Sequence, residues 1–86
     1  MFYTYVELED GTQLAYSDVL DDGTVELSIE RPIELGFDSA RCLLPSFEWS
    51  DVEGFSADDM AYLDSFVHNN APLILRLARE ASKSYA

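Results

Sequence analysis

One cysteine, one histidine, one tryptophan and five lysine or arginine residues are all that 86 residues supply of the thiol, imidazole, indole and cationic side chains on which nucleophilic catalysis, zinc binding and nucleic-acid contact draw. Cys42 alone cannot form an internal disulfide, and no Cys or His pair stands at a zinc-ligand spacing. No apolar run reaches membrane length, and no basic segment leads into an apolar one as in a signal peptide, so a cytoplasmic, reducing location is expected. The four glycines build no phosphate-cradling loop. With so few cations, the basic surface of a nucleic-acid binder is missing as well.

What is abundant is negative charge. Seventeen Asp and Glu give a net charge of −12, and sixteen of them lie in residues 1–64 against only Arg31 and Arg41. The last 22 residues reverse the sign, with Arg76, Arg79 and Lys83 against Glu80. Such a field repels nucleic acid and anionic membranes and speeds encounter with basic protein surfaces. The plainer reading of the same charge is solubility.

Hydrophobic residues at 48% place the chain in the globular class, and its length fits one domain over 1–86. Phe2, Thr4, Val6 and Leu8 alternate with Tyr3, Tyr5 and Glu7, which predicts a half-buried strand with the first set on one face. Asp10-Gly11 and Asp21-Asp22-Gly23 are turn signals; between them Leu14 and Tyr16 share a face, and after them Val25, Leu27 and Ile29 do. Pro32 is expected to stop this third strand, and Ala40, Cys42 and Leu44 mark a fourth over residues 39–44, ended by Pro45. Residues 1–49 thus read as a meander plus connector, and 56–83 as a helical layer. Ser56 with Asp58 and Asp59 is a helix start, and Met60, Leu63, Phe66 and Val67 form the buried stripe. Pro72 predicts a break near Asn70 and a restart, with Leu73, Ile74, Leu77, Ala78 and Ala81 on the buried side. The expected fold is α+β: a four-stranded, mainly antiparallel meander with two C-terminal helices on one face.

No reaction can be read from these residues. An EF-hand loop started at Asp18 puts Leu20 and Ile29 where oxygen ligands belong, so the acids around Gly23 read as a solvated turn. The residues an enzyme would use are Cys42 and His68. Cys42 falls on an apolar strand face, and His68 stands where a helix C-terminus is expected. Neither a catalytic residue, a metal site nor a cofactor is assigned.

Two of the five cations, with the only Cys and Trp, lie in ERPIELGFDSARCLLPSFEW, residues 30–49. Arg31 and Arg41 read as ion-pair partners of Glu30, Glu34, Asp38 or Glu48; alternatively Phe37, Arg41, Phe47 and Trp49 make an aromatic contact patch. This run, followed by GFSADDMAYLDSFVHNNAPLILRLARE, resembles a family of small acidic proteins of bacterial genomes and mobile elements, over Leu8 to about Glu80. The resemblance carries no catalytic residues and implies a free-standing small protein. Anti-CRISPR proteins and antitoxins share its size and charge, and by that analogy a non-enzymatic inhibitor is expected to cover a basic, nucleic-acid-binding surface. The acids that would do so are Asp21, Asp22, Glu26, Glu30, Asp51, Glu53, Asp58 and Asp59. The other reading is a structural domain, monomeric or weakly dimeric.

Overall fold

A computed structural model describes residues 1–83 as five strands and one helix: β1 (Phe2–Glu7), β2 (Gln13–Ser17), β3 (Val25–Ile33), β4 (Gly36–Leu44), β5 (Glu48–Glu53) and α1 (Ala57–Lys83). The strands form one antiparallel sheet in the order β1-β2-β3-β4-β5, and α1 lies across one of its faces. The fold is α+β, with one strand more and one helix fewer than the sequence pattern predicts.

The core follows from two superposed periods. Leu14, Val25, Leu27, Ile29, Cys42 and Leu44 alternate along β2, β3 and β4, and Leu63, Val67, Ala71, Ile74 and Ala78 recur every three or four residues on α1. Each of the large aliphatic side chains is at most 3% exposed. Burial at that level contributes roughly 1.5–3 kcal/mol per side chain, so this layer dominates folding.

Four expectations need correction. In β1, Tyr3 pairs with Tyr16 and Val6 with Leu14, with a register shift between Thr4 and Val6. This bulge turns Tyr3, Tyr5 and Val6 toward the helix, while Phe2 and Thr4 stay on the opposite face, because one extra residue inverts the alternation. Pro32 does not end β3. The last β2–β3 pair is Gln13–Glu30, so at Pro32 the strand has outrun β2 and needs no amide hydrogen on that side, while pairing with β4 continues to Ile33–Gly36. The segment after Pro45 is a fifth strand, joined to β4 through Cys42–Trp49 and Leu43–Glu48.

The fourth correction concerns α1, which runs unbroken through Pro72. Pro72 lies on the exposed side, so the carbonyl of His68 that loses its bond faces water, and Val67, Ala71 and Ile74 hold both sides of the proline to the sheet. The helix begins as expected. Ser56 Oγ accepts from the Asp59 amide at 3.1 Å, and Asp59 Oδ2 accepts from the Ser56 amide at 3.0 Å, a reciprocal capping box.

The direction of α1 is set by three tethers. Tyr5 donates to Asn70 Oδ1 at 2.7 Å, the Val19 amide to Ser82 Oγ at 2.9 Å, and Trp49 Nε1 to Asp64 Oδ1 at 2.9 Å. The helix therefore runs along the strands, with one flank toward β1 and the other toward β5.

Candidate interaction surface

The face of the sheet away from α1 is uncovered. Ala15, Ser28 and Ser39 are partly exposed there, whereas their strand neighbours Leu14, Leu27, Ile29 and Ala40 are at most 1% exposed. Pairing across the strands aligns this face into rows. One row reads Glu7–Gln13–Glu30–Ser39–Glu53, the next Thr4–Ala15–Ser28–Arg41–Ser50, and a third carries Glu26, Leu43 and Glu48. Within a row, acids two strands apart stand about 9–10 Å from each other, and the two acidic rows are separated by roughly 13 Å along the strands. Small side chains occupy the middle and glutamates the borders. Arg41 is the cation among these paired positions; it is bound to Glu26 and lies 5.7 Å from the Phe2 ring centroid.

The eight acids singled out in the sequence do not form one cluster. Glu26, Glu30 and Glu53 share this face. Asp21 and Asp22 sit on the β2–β3 turn, where Asp22 Oδ1 accepts from both the hydroxyl and the amide of Thr24, which holds its carboxyl below the usual range. Asp51 occupies an irregular position of β5 with φ +51°, and Asp58 is exposed in the first turn of α1. Asp59 belongs to the capping box. Glu7 joins the face by the plain alternation of β1 after its bulge, and Glu48 joins it through β5, which only its pairing with β4 reveals.

The aromatic patch also divides. Phe37, 63% exposed, lies on the same uncovered side as Arg41 but four residues away along β4, whereas Trp49 is drawn to Asp64 and Phe47 stacks on His68 at a centroid distance of 3.8 Å. Phe47 has φ +59°, an uncommon backbone state for a bulky residue, and the stack aims its ring at the helix. His68 is therefore mid-helix, with Nδ1 2.8 Å from the Asp64 carbonyl oxygen, rather than at a helix end.

Arg31 and Arg41 both form ion pairs, Arg31 with the expected Asp38 and Arg41 with Glu26, its cross-strand neighbour, rather than with Glu30, Glu34, Asp38 or Glu48. Arg31 Nε and Nη2 donate to Asp38 Oδ2 at 3.0 and 2.7 Å, Nη2 also reaches Asp59 Oδ2 at 3.2 Å, and Nη1 stands 3.6 Å from Asp10 Oδ2. Its guanidinium lies over Phe55, 4.8 Å from the ring centroid. The bond to Asp38 first, then that to Asp59, raises the Arg31 pKa further. The carboxyls of Asp59 and Asp10 are held below their ordinary range, Asp59 first by the Ser56 amide and then by Arg31, Asp10 first by Thr12. Beside this knot is a cleft of about 240 Å³ between Leu8, Phe55, Tyr62 and Arg31. Its charged groups, Arg31, Asp10 and Asp59, are already engaged with one another, which makes it a clasp between the β3–β4 hairpin, the β1–β2 turn and the helix start.

Cys42 is fully buried beneath α1, and burial, aided by the charge of Asp64, pushes its thiol up to about 11. Such a group is a neutral thiol at pH 7. Among the described residues no group of three His, Cys, Asp or Glu could hold a metal ion, and no helix is long and apolar enough to cross a membrane. No protein-family model, curated protein or solved structure matches the chain.

Proposed function

We propose that the protein is a non-enzymatic binding module whose uncovered, glutamate-bordered sheet face docks on a basic surface of another protein, in the manner of a small inhibitor that blocks a nucleic-acid-binding site. The observation that carries this reading is the alignment of Glu7, Glu26, Glu30, Glu48 and Glu53 on one uncovered face against Arg41, which Glu26 already engages. A net charge of −12 extends that local field to long range and favours fast encounter with a basic partner. Acids on a planar grid about 10 Å by 13 Å are sparser than duplex phosphates. Complementarity to the protein surface, rather than imitation of a continuous phosphate backbone, is therefore the mode.

The test is capture of partners from native-host extract, followed by affinity measurement with the purified partner at two salt concentrations. The partner should be basic, should be displaced by nucleic acid, and should weaken as salt screens the attraction. Glu26→Gln, Glu30→Gln, Glu48→Gln and Glu53→Gln together should lower affinity at least tenfold, whereas Asp21→Asn with Asp22→Asn, on the turn, should change it little. A partner indifferent to both salt and the fourfold change refutes the reading.

A further inference from the structure

The β3–β4 hairpin outruns the rest of the sheet. β2 pairs with β3 no further than Gln13–Glu30 and β5 with β4 no further than Ser39–Glu53, whereas β3 and β4 stay paired through Arg31–Asp38, Pro32–Phe37 and Ile33–Gly36. At ~3.3 Å per residue this stem and the Glu34-Leu35 turn project about 10 Å past the neighbouring strands. The projection ends in apolar side chains. Leu35 is 96%, Phe37 63% and Ile33 51% exposed, and all three stand outside the hydrophobic core. A two-residue turn favours Gly, Asn or Asp, and a leucine left almost wholly in water there contributes no burial to the fold.

The stem is fixed where it leaves the sheet. Arg31 and buried Asp38 face each other across it, and Arg31 continues to Asp59 at the helix start and to Asp10 in the β1–β2 turn. A stem held in this way presents its tip in one place and spares a partner the entropy of ordering it. The charge around the tip has one sign. Glu34 lies in the turn, and Glu30 and Glu53 are exposed on the row just behind Phe37, while Arg31 and Arg41 are already held by Asp38 and Glu26.

Apolar side chains ringed by free carboxylates select their occupant by charge. A second copy would bring the same acids, and its hollows beside Tyr62 and beside Leu20 are lined by Asp10 and Asp59 and by Asp21 and Asp22. An anionic lipid surface would be repelled likewise. We propose that the hairpin tip anchors the docking surface: Leu35, Phe37 and Ile33 enter an apolar pocket on the basic partner, and Lys or Arg at the rim of that pocket meet Glu30, Glu34 and Glu53. An apolar centre within a polar rim is the usual anatomy of a protein interface. The inference rests on the docking reading above and names the contact that retains the partner. The acids then govern the rate of arrival, and the tip the time of residence.

Leu35→Asn places a turn-favouring residue where no burial is lost, so the urea midpoint should hold or rise; a fall would give Leu35 a role in the fold and overturn the inference. Photo-crosslinking in native-host extract, with p-benzoylphenylalanine replacing Leu35 in one chain and Glu48 in another, should label the same basic protein from both positions. Against that protein, once purified, Leu35→Asn should weaken binding at least tenfold through faster dissociation, with the salt dependence of the wild type. The fourfold glutamine variant should instead slow association. Label from Glu48 alone, or a Kd unmoved by Leu35→Asn, overturns the anchor and leaves the docking face in place. Label from Leu35 alone removes the docking face and with it the acidic rim, and no label from either position overturns both readings. Label from Leu35 onto a second copy of the chain, or Leu35-dependent sedimentation with phosphatidylcholine vesicles, would assign the tip to self-association or to a membrane and overturn the proposal.

Discussion

Replacing Gly54 with alanine probes how the clasp around Arg31 is assembled. Gly54 has φ +88°, and a Cβ there would lie 1.9 Å from Asp38 Oδ1 and 2.7 Å from its Cγ. A free carboxylate would swing aside. This one is buried, with Oδ2 receiving both Nε and Nη2 of Arg31, so displacement breaks charge-assisted hydrogen bonds worth about 1.5–3 kcal/mol. The left-handed backbone adds roughly 1–2 kcal/mol once a Cβ is present. The expected loss is about 2.5–5 kcal/mol, a large part of a stability that for this length is on the order of 4–13 kcal/mol. Urea unfolding at pH 7 measures it as a drop in midpoint at constant slope. A double-mutant cycle isolates the cause: in an Asp38→Ala background, Gly54→Ala should cost only the backbone part, ~1–2 kcal/mol. If the two substitutions instead add to within ~0.5 kcal/mol, the collision with Asp38 is not what Gly54 avoids.

Pro72→Ala should stabilise the protein by roughly 1–3 kcal/mol, since it restores the helical bond to His68 on an exposed face; an unchanged or lower urea midpoint would show that the proline is needed where it stands. Acid should weaken the fold through the carboxylates whose pKa is depressed. For Asp10, Asp22 and Asp59 the unfolded chain binds protons first, near pH 3.9, so their contribution is present above that value and disappears as pH falls through their lower folded values. Asp59→Asn should flatten the decline in urea midpoint between about pH 5 and pH 3 relative to the wild type, and an identical decline in both proteins would refute the assignment.

The central strands were legible because Val25, Leu27 and Ile29, and Ala40, Cys42 and Leu44, bury one face of a flat pairing and leave the other polar. The first half of β1 is not legible from alternation, since its bulge shifts register without altering composition, and Tyr3 and Tyr5 are as compatible with a core side as Phe2. β5 has charged residues on both faces of its alternation, so only its partner reveals it. Pro32 and Pro72 read as stops on local grounds; tertiary placement overrides both, one beyond the reach of a neighbouring strand and one on the wet side of a helix. Of the candidate surface, Glu26 and Glu30 were visible from strand period. The scattering of the other acids over turns and helix start required the fold itself.

The simple strand order has a bearing on how the protein is made. Every strand pairs with the one before it, so each hairpin can close as soon as its second strand leaves the ribosome, without waiting for distant sequence. The helix that seals the apolar face is synthesised after all five strands. Until its 27 residues are available, Leu27, Ile29, Cys42 and Leu44 line an open sheet with two unprotected edges, the kind of surface on which partly made chains adhere to one another. The dense negative charge of residues 1–64 is carried by the portion that must endure this interval, and mutual repulsion between nascent chains is then a service the acids perform before the protein has any partner at all.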